Sequence, residues 1–230
     1  MERQGLDPAY RLVIGNKAWS SWSLRPWLVL KRHGLPFEEV RVGLRQPQSK
    51  SALLAHSAAG KVPALYAGDL LIWDSLAIIE TLADRHPDLN IWPREAEARA
   101  IARSVSAEMH AGFQALREQC PMDILAVKPL DAINETTELN VRRVIASWQD
   151  CRRRFGAGGP FLFSQFSAAD AMYAPVASRF KTYLPDLERY GDDGTAKAYI
   201  ETIFAMPEMA VWMTGAAEEL APSSHVAPTG

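Results

Sequence analysis

Cysteine is nearly absent from this 230-residue chain. Cys120 and Cys151 are the only two, with no CxxC pair and no clustered histidines beside them. That excludes a disulfide scaffold and disfavours both a zinc site and a redox dithiol, so no metal is expected. The two thiols read as packing residues of a protein kept in a reducing, cytoplasmic compartment. Long apolar runs are missing too. No stretch approaches the ~20 apolar residues that span a bilayer, and Met1 to Tyr10 is polar, without an apolar signal core. Neither sign of charge is in excess: the net charge is −2 and the charged residues are interspersed. The one compact basic run, Arg152-Arg153-Arg154, sits in a helical pattern with no aromatic or glycine-rich company. It reads as a solvated helix end, and neither nucleic acid nor a membrane is the expected partner. Internal repeats and low-complexity segments are also lacking.

What remains is a chain with 48% hydrophobic residues, enough to build the core of one large or two small domains. Residues 11–15 read as a strand that stops at Asn16. Three serines, Ser20, Ser21 and Ser23, follow within four positions, and then an apolar helix begins through Leu24, Trp27 and Leu28. Hydroxyls at such a corner sit where free backbone N–H groups and the positive end of a helix dipole converge, so it can hold an anion or a thiolate. Pro26 lacks an N–H, so a helix capped by Ser23 would place it harmlessly in the first turn, with Ser20 and Ser21 in the loop before. Residues 37–44 read as a second strand and 49–56 as a short helix. Two apolar runs around Gly68-Asp69 read as a hairpin. Asp74 and Ser75 then offer caps to a helix with Ile78, Ile79 and Leu82 on one face. The order β-α-β-α-β-β-α makes residues 1–86 a compact α/β unit.

Residues 87–94 are bracketed by prolines and read as a linker. Residues 95–220 are nearly all helix. Ala98, Ile101, Ala102, Val105, Met109, Phe113 and Leu116 trace one stripe over five turns. Val141 to Phe155 marks a second long helix. Ser167-Ala168-Ala169-Asp170 has the spacing of a capping box and opens a buried helix, and two shorter helices fit 195–205 and 208–219. The segment 221–230 reads as a disordered tail.

The serine corner, a Val62-Pro63 before a hairpin and an Asp74-Ser75 opening a helix, in this order, resemble the cytosolic glutathione transferases. The corner Ser20-Ser21-Trp22-Ser23-Leu24-Arg25 is similar to the Ser-Ser-Cys-Ser-x-Arg of the zeta class, which includes maleylacetoacetate isomerases. The resemblance implies a thioredoxin-like domain followed by an all-α bundle, a homodimer, and glutathione as co-substrate. It implies a cis Val62–Pro63 bond, with Val62 pairing to the cysteinyl backbone of glutathione as an added strand does. It gives Ser75 the γ-glutamyl carboxylate, Asp74 the γ-glutamyl ammonium, and Lys61 the glycyl carboxylate. Gln48 and, from the helical domain, Gln114 fall at further glutamine positions of the zeta pattern.

The resemblance further implies that Ser20, or Ser21 beside it, donates a hydrogen bond to the glutathione thiolate. Lowering a thiol of pKa ~8.5 by ~2 units takes about 2.7 kcal/mol. One hydroxyl donor to a charge contributes roughly 1.5–3 kcal/mol and the dipole about 0.3–1 kcal/mol, so no general base is needed. Trp19, Trp22, Met109, His110 and Phe113 are candidates to wall an apolar pocket for a small electrophile. Trp22 stands where the zeta pattern has cysteine, which disfavours thiol-exchange chemistry and leaves conjugation and cis–trans isomerisation both open. A non-catalytic scaffold that keeps the fold is the remaining alternative.

Overall fold

The computed structural model describes residues 10–221, so the polar start and, apart from Ala221, the expected tail lie outside the described residues. Strand β1 (Tyr10–Ile14) leads into helix α1 (Ser21–Arg32), followed by β2 (Phe37–Arg41), α2 (Ser49–His56), β3 (Ala64–Ala67), β4 (Leu70–Ile72) and α3 (Ser75–Arg85). The four strands form one sheet in the order β2-β1-β3-β4. β1 runs parallel to β2, with Val13 opposite Val40, and antiparallel to β3, with Leu12 opposite Leu65. Side chains alternate across it as the two-residue period requires. Leu12, Ile14 and Leu65 face the core shared with α1 and α3, whereas Val13 and Ala64 pack with Ala52 and Leu53 of α2. The hairpin turns at Gly68, whose φ of +63° glycine alone adopts without strain. Tyr10 begins β1 rather than preceding it, and its hydroxyl pairs with His86 Nε2 at 2.7 Å.

A short 3₁₀ turn (Pro87–Leu89) leads to the helical part: α4 (Ala96–Ala111), α5 (Gln114–Gln119), α6 (Glu135–Phe155), α7 (Ala168–Tyr183), α8 (Thr195–Phe204) and α9 (Pro207–Leu220). α7 is its axle. Every residue of it except Lys181 is buried, between α1, α4 and α8, as expected of a helix that is apolar nearly all round. Trp148 of α6 is fully buried against Tyr173, Phe180 and Tyr199, with ring centroids 4.8–5.6 Å apart. Each such ring contributes about 1.5–3 kcal/mol of burial, so this cluster is the strongest apolar knot of the bundle. The Ser167–Asp170 pair caps the helix as the spacing predicts: the Asp170 carboxylate accepts from the Ser167 amide at 2.8 Å and from its hydroxyl at 3.1 Å. Among the described residues no helix is long and apolar enough to cross a membrane.

Two expectations fail in instructive ways. The stripe from Ala98 to Leu116 is not one helix: α4 stops at Ala111, Phe113 takes a left-handed φ of +61°, and α5 starts afresh. Gly112 weakens the helix there. Arg117 reaches back to donate to the Gly112 carbonyl at 3.0 Å and to Met109 O, satisfying carbonyls that the break leaves open. The side chains keep to one buried face across the break, which is why the pattern looked continuous. Arg152, expected in a solvated run, instead donates to the carbonyls of Gly156, Gly159 and Phe161 and folds the loop after α6.

Candidate active site

The corner after β1 is tight. A Cβ on Gly15 would lie 2.5 Å from Leu44 Cδ1 and 3.2 Å from Ser20 Cβ, so a larger residue would have to displace the Leu44 side chain. The Asn16 carbonyl accepts from the amides of Trp19, at 3.2 Å, and Ser20, at 2.9 Å, closing the turn. Helix α1 then starts at Ser21, with Ser20 at the cap position. The start is three residues earlier than a Ser23 cap requires. Ser23 is instead occupied: its Oγ accepts from the Gly15 amide at 3.1 Å and from the Ser20 hydroxyl at 2.7 Å. Pro26 therefore lies inside the helix and leaves the Trp22 carbonyl without its ladder donor. Ser20 and Ser21 are both buried, 6% exposed, and the first turn carries no acidic residue to oppose an incoming anion.

The Val62–Pro63 bond is cis, as is Trp73–Asp74. Val62 lies just before β3, half-buried. Asp74 caps α3, accepting from the amides of Leu76 at 3.1 Å and Ala77 at 3.5 Å. Ser75 is fully buried at the first position of α3, and its hydroxyl has no hydrogen-bond partner among the described residues. Lys61 and Gln48 are exposed, Gln48 donating to Gln46 at 2.8 Å.

The helical part closes the other side, and here the chemistry departs from an apolar pocket. His110 Nε2 sits 3.0 Å from Asp74 Oδ2, tying α4 to the start of α3. The His110 ring meets Trp22 edge-on at 5.2 Å. The Trp22 indole lies under two guanidinium groups, Arg25 at 4.2 Å and Arg117 at 4.8 Å. Arg179 of α7 donates to the Cys120 carbonyl at 3.3 Å and to Ser21 Oγ at 3.4 Å. Arg25 is fully buried and none of its three guanidinium nitrogens has a hydrogen-bond partner among the described residues. Burial, reinforced by the neighbouring charges of Arg117 and Arg179, drives its pKa well below the usual arginine range, and only Asp74 and Tyr173 pull the other way. Burial and Arg117 push Arg179 down to about 10, and burial lowers Arg117 as well. Three cations so placed repel one another in a medium that solvates them poorly. Three guanidinium groups thus cluster around Trp22 and Ser21.

Met109 and Phe113, expected in the pocket wall, are core residues at 1% and 8% exposure. Trp19 is half-buried beneath Arg45. Gln114 is exposed and donates to Glu118 at 2.8 Å. The structure thus joins Trp22, which follows Ser20 and Ser21 in the chain, to Asp74, which precedes Ser75, through His110. Reading the sequence for serines and apolar walls missed the arginines. A charged residue inside a buried stripe was the available signal, Arg25 between Leu24 and Trp27 and Arg179 between Val176 and Phe180. Burial pushes the thiols of Cys120 and Cys151 up to about 11 and about 12, so neither is a nucleophile at neutral pH.

A small mixed sheet with its serine corner is thus joined to a helical bundle around a buried axle helix. Residues 19–85 match the family model of the glutathione S-transferase N-terminal domain and residues 130–214 that of the C-terminal domain; the chain belongs to the glutathione S-transferase family. Its relatives include zeta-class proteins. A Caenorhabditis elegans protein named probable maleylacetoacetate isomerase is 35% identical over 108 residues, 47% of this chain and 50% of that protein. Maleylacetoacetate isomerase of Rattus norvegicus is 27% identical over 177 residues, 74% of this chain and 77% of its own. For several of these curated relatives the chain spans about half their length or less. Among solved structures, a bacterial zeta-class maleyl pyruvate isomerase shares the fold with a TM-score of 0.66 at 22% identity, over 88% of this chain and 95% of that one. A glutathione transferase homologue from Burkholderia, solved with bound glutathione, has a TM-score of 0.66 at 21% identity, over 91% and 98%.

Proposed function

We propose that this protein is a glutathione-dependent enzyme that ionises the glutathione thiol at the Ser20–Ser21 corner and adds it to a small electrophile bearing a carboxylate. The observation that carries the reading is Arg25: a buried guanidinium without a partner among the described residues, flanked by Arg117 and Arg179, beside two buried hydroxyls at a helix start. Glutathione meets the N-terminal side. The free Ser75 hydroxyl and the first amides of α3 suit the γ-glutamyl carboxylate, while Asp74 suits its ammonium. Val62, Gln48 and Lys61 serve the rest of the tripeptide, with Gln114 as the residue from the helical side. The thiolate then lies over the start of α1. Ser20, the first choice from the corner's pattern, must turn from Ser23 to reach it. Ser21 accepts from Arg179 and keeps its proton free to donate. An acidic acceptor completes the charge balance of the arginines, with its reacting carbon held against the sulfur.

The names of the relatives support a second version, in which the thiolate adds to a maleyl-type double bond, a bond rotates, and the thiol leaves again. Product formed without net loss of glutathione marks that version. Both versions need the same anion site, and Arg25→Met tests it. A buried charge without a partner costs stability, so a methionine of similar length should stabilise the ligand-free protein by about 1–4 kcal/mol. The same variant should lower kcat/KM for an acidic electrophile at least about tenfold, the scale of one charge-assisted contact, and leave a neutral electrophile unaffected. Equal losses on both electrophiles would remove the anion site from the mechanism.

A further inference from the structure

We infer that α9 is a strap that holds the serine corner in its working shape, with Glu219 as a positioning residue acting through Asn16. Glu219 lies in the last turn of α9, where a carboxylate faces the negative end of the helix dipole, and its side chain is only 2% exposed. A buried acid in that place is unfavourable unless donors meet it. They come from the corner, about two hundred residues earlier in the chain. Glu219 Oε2 accepts from the Lys17 amide at 3.0 Å and from Asn16 Nδ2 at 3.1 Å. Its other oxygen pairs with Arg41 at 3.2 Å.

The route to the serines is short. Asn16 is the residue whose carbonyl accepts from the Ser20 amide, and its side-chain oxygen also accepts from the Leu44 amide at 2.6 Å. Holding the Asn16 side chain therefore fixes the turn that aims Ser20 and Ser21. A second clamp lies two turns earlier on the same face of α9: Trp212 Nε1 donates to the Lys17 carbonyl at 2.9 Å. Gly215 makes room for the Lys17 side chain, since a Cβ there would lie 2.9 Å from Lys17 Cδ. Gly215 and Glu219 both lie beyond the stretch matched by the C-terminal family model, which ends at 214.

The effect on catalysis rests on the serine reading given above; the effect on the corner's order does not. Glu219→Ala and Glu219→Gln in the full chain separate them, because one glutamine carbonyl can still accept both donors. Glu219→Ala should speed amide exchange over residues 15–21 at least about tenfold, lower kcat for thiol addition about tenfold, and leave KM for glutathione within about twofold. Glu219→Gln should restore both readouts. Unchanged exchange in Glu219→Ala overturns the strap, whatever the kinetics. Faster exchange with unchanged kcat leaves the strap but removes its catalytic role. Parallel kinetics of a Ser20→Ala/Ser21→Ala variant judge the serine reading separately. If Glu219→Ala does not fold, Glu219→Asp, which keeps the charge but shortens its reach to Asn16 and the Lys17 amide, takes its place in the same comparison.

Discussion

Removing both hydroxyls of the corner, as Ser20→Ala/Ser21→Ala, should raise the apparent pKa of bound glutathione by about 2 units, to near its free value of ~8.5. The N–H groups at the start of α1 and the helix dipole remain, but they supply only about 0.3–1 kcal/mol of the roughly 2.7 kcal/mol that such a shift takes. At neutral pH the thiolate fraction, and with it the rate of addition, should then fall by up to about 25-fold. Glutathione affinity should change little, because its carboxylates and ammonium are held elsewhere. The single variants apportion the effect. Ser20 shares its proton with Ser23 and Ser21 is polarised by Arg179, so the larger single loss identifies which one meets the sulfur. Ultraviolet thiolate absorbance against pH, with steady-state rates, checks this. A double variant with unchanged thiolate titration removes the serines from the chemistry.

The second large effect concerns stability. The fully buried Asp170 carboxyl accepts from the amides of Leu162 and Ser167, the Ser167 hydroxyl and the Tyr199 hydroxyl, at 2.8–3.1 Å. Asp170→Ala leaves the two amides and the tyrosine hydroxyl unpaired in the core. At about 1–3 kcal/mol each, the loss should reach about 3–6 kcal/mol, a large part of the 5–15 kcal/mol typical of a folded domain. Asp170→Asn keeps one carbonyl and should cost less. The carboxyl also carries a pH signature. Burial outweighs its four hydrogen bonds and pushes its pKa up to about 6. A folded value above the unfolded ~3.9 means that the native state binds the proton more tightly. Its contribution is therefore fully present below about pH 4, falls by about 3 kcal/mol as pH rises through about 6, and is level above. Urea unfolding at pH 5 and pH 7 should show this slope in the native protein and lose it in Asp170→Asn. Matching slopes in both would assign the pH dependence elsewhere.

Much of the fold was legible because it is written in local signals. The residues of α2, the hairpin at Gly68, the Asp74 cap and the Ser167–Asp170 box depend on neighbours a few positions away, and each forms as the spacing predicts. The break at Gly112 was hidden because Arg117 repairs it from five residues further on, leaving the apolar stripe undisturbed. The start of α1 was misplaced because Ser23 is recruited by Gly15, a tertiary contact that a capping rule does not contain. The serines of the site were visible as a motif. Its charge was not, because Arg25, Arg117 and Arg179 come from three helices and acquire meaning only when folding sets them around Trp22 and Ser21. The strap on α9 joins residues about two hundred positions apart and leaves no periodic trace.

Calorimetry of glutathione binding at pH 7, in buffers of different ionisation enthalpy, tests the central claim most directly, because it counts protons as well as affinity. Free glutathione is about 3% thiolate at that pH, and a bound thiol shifted by ~2 units is about three-quarters ionised. The account predicts saturable binding with release of about 0.7 proton per site, lost in Ser20→Ala/Ser21→Ala. Binding with no proton release, or no binding at all, would contradict it.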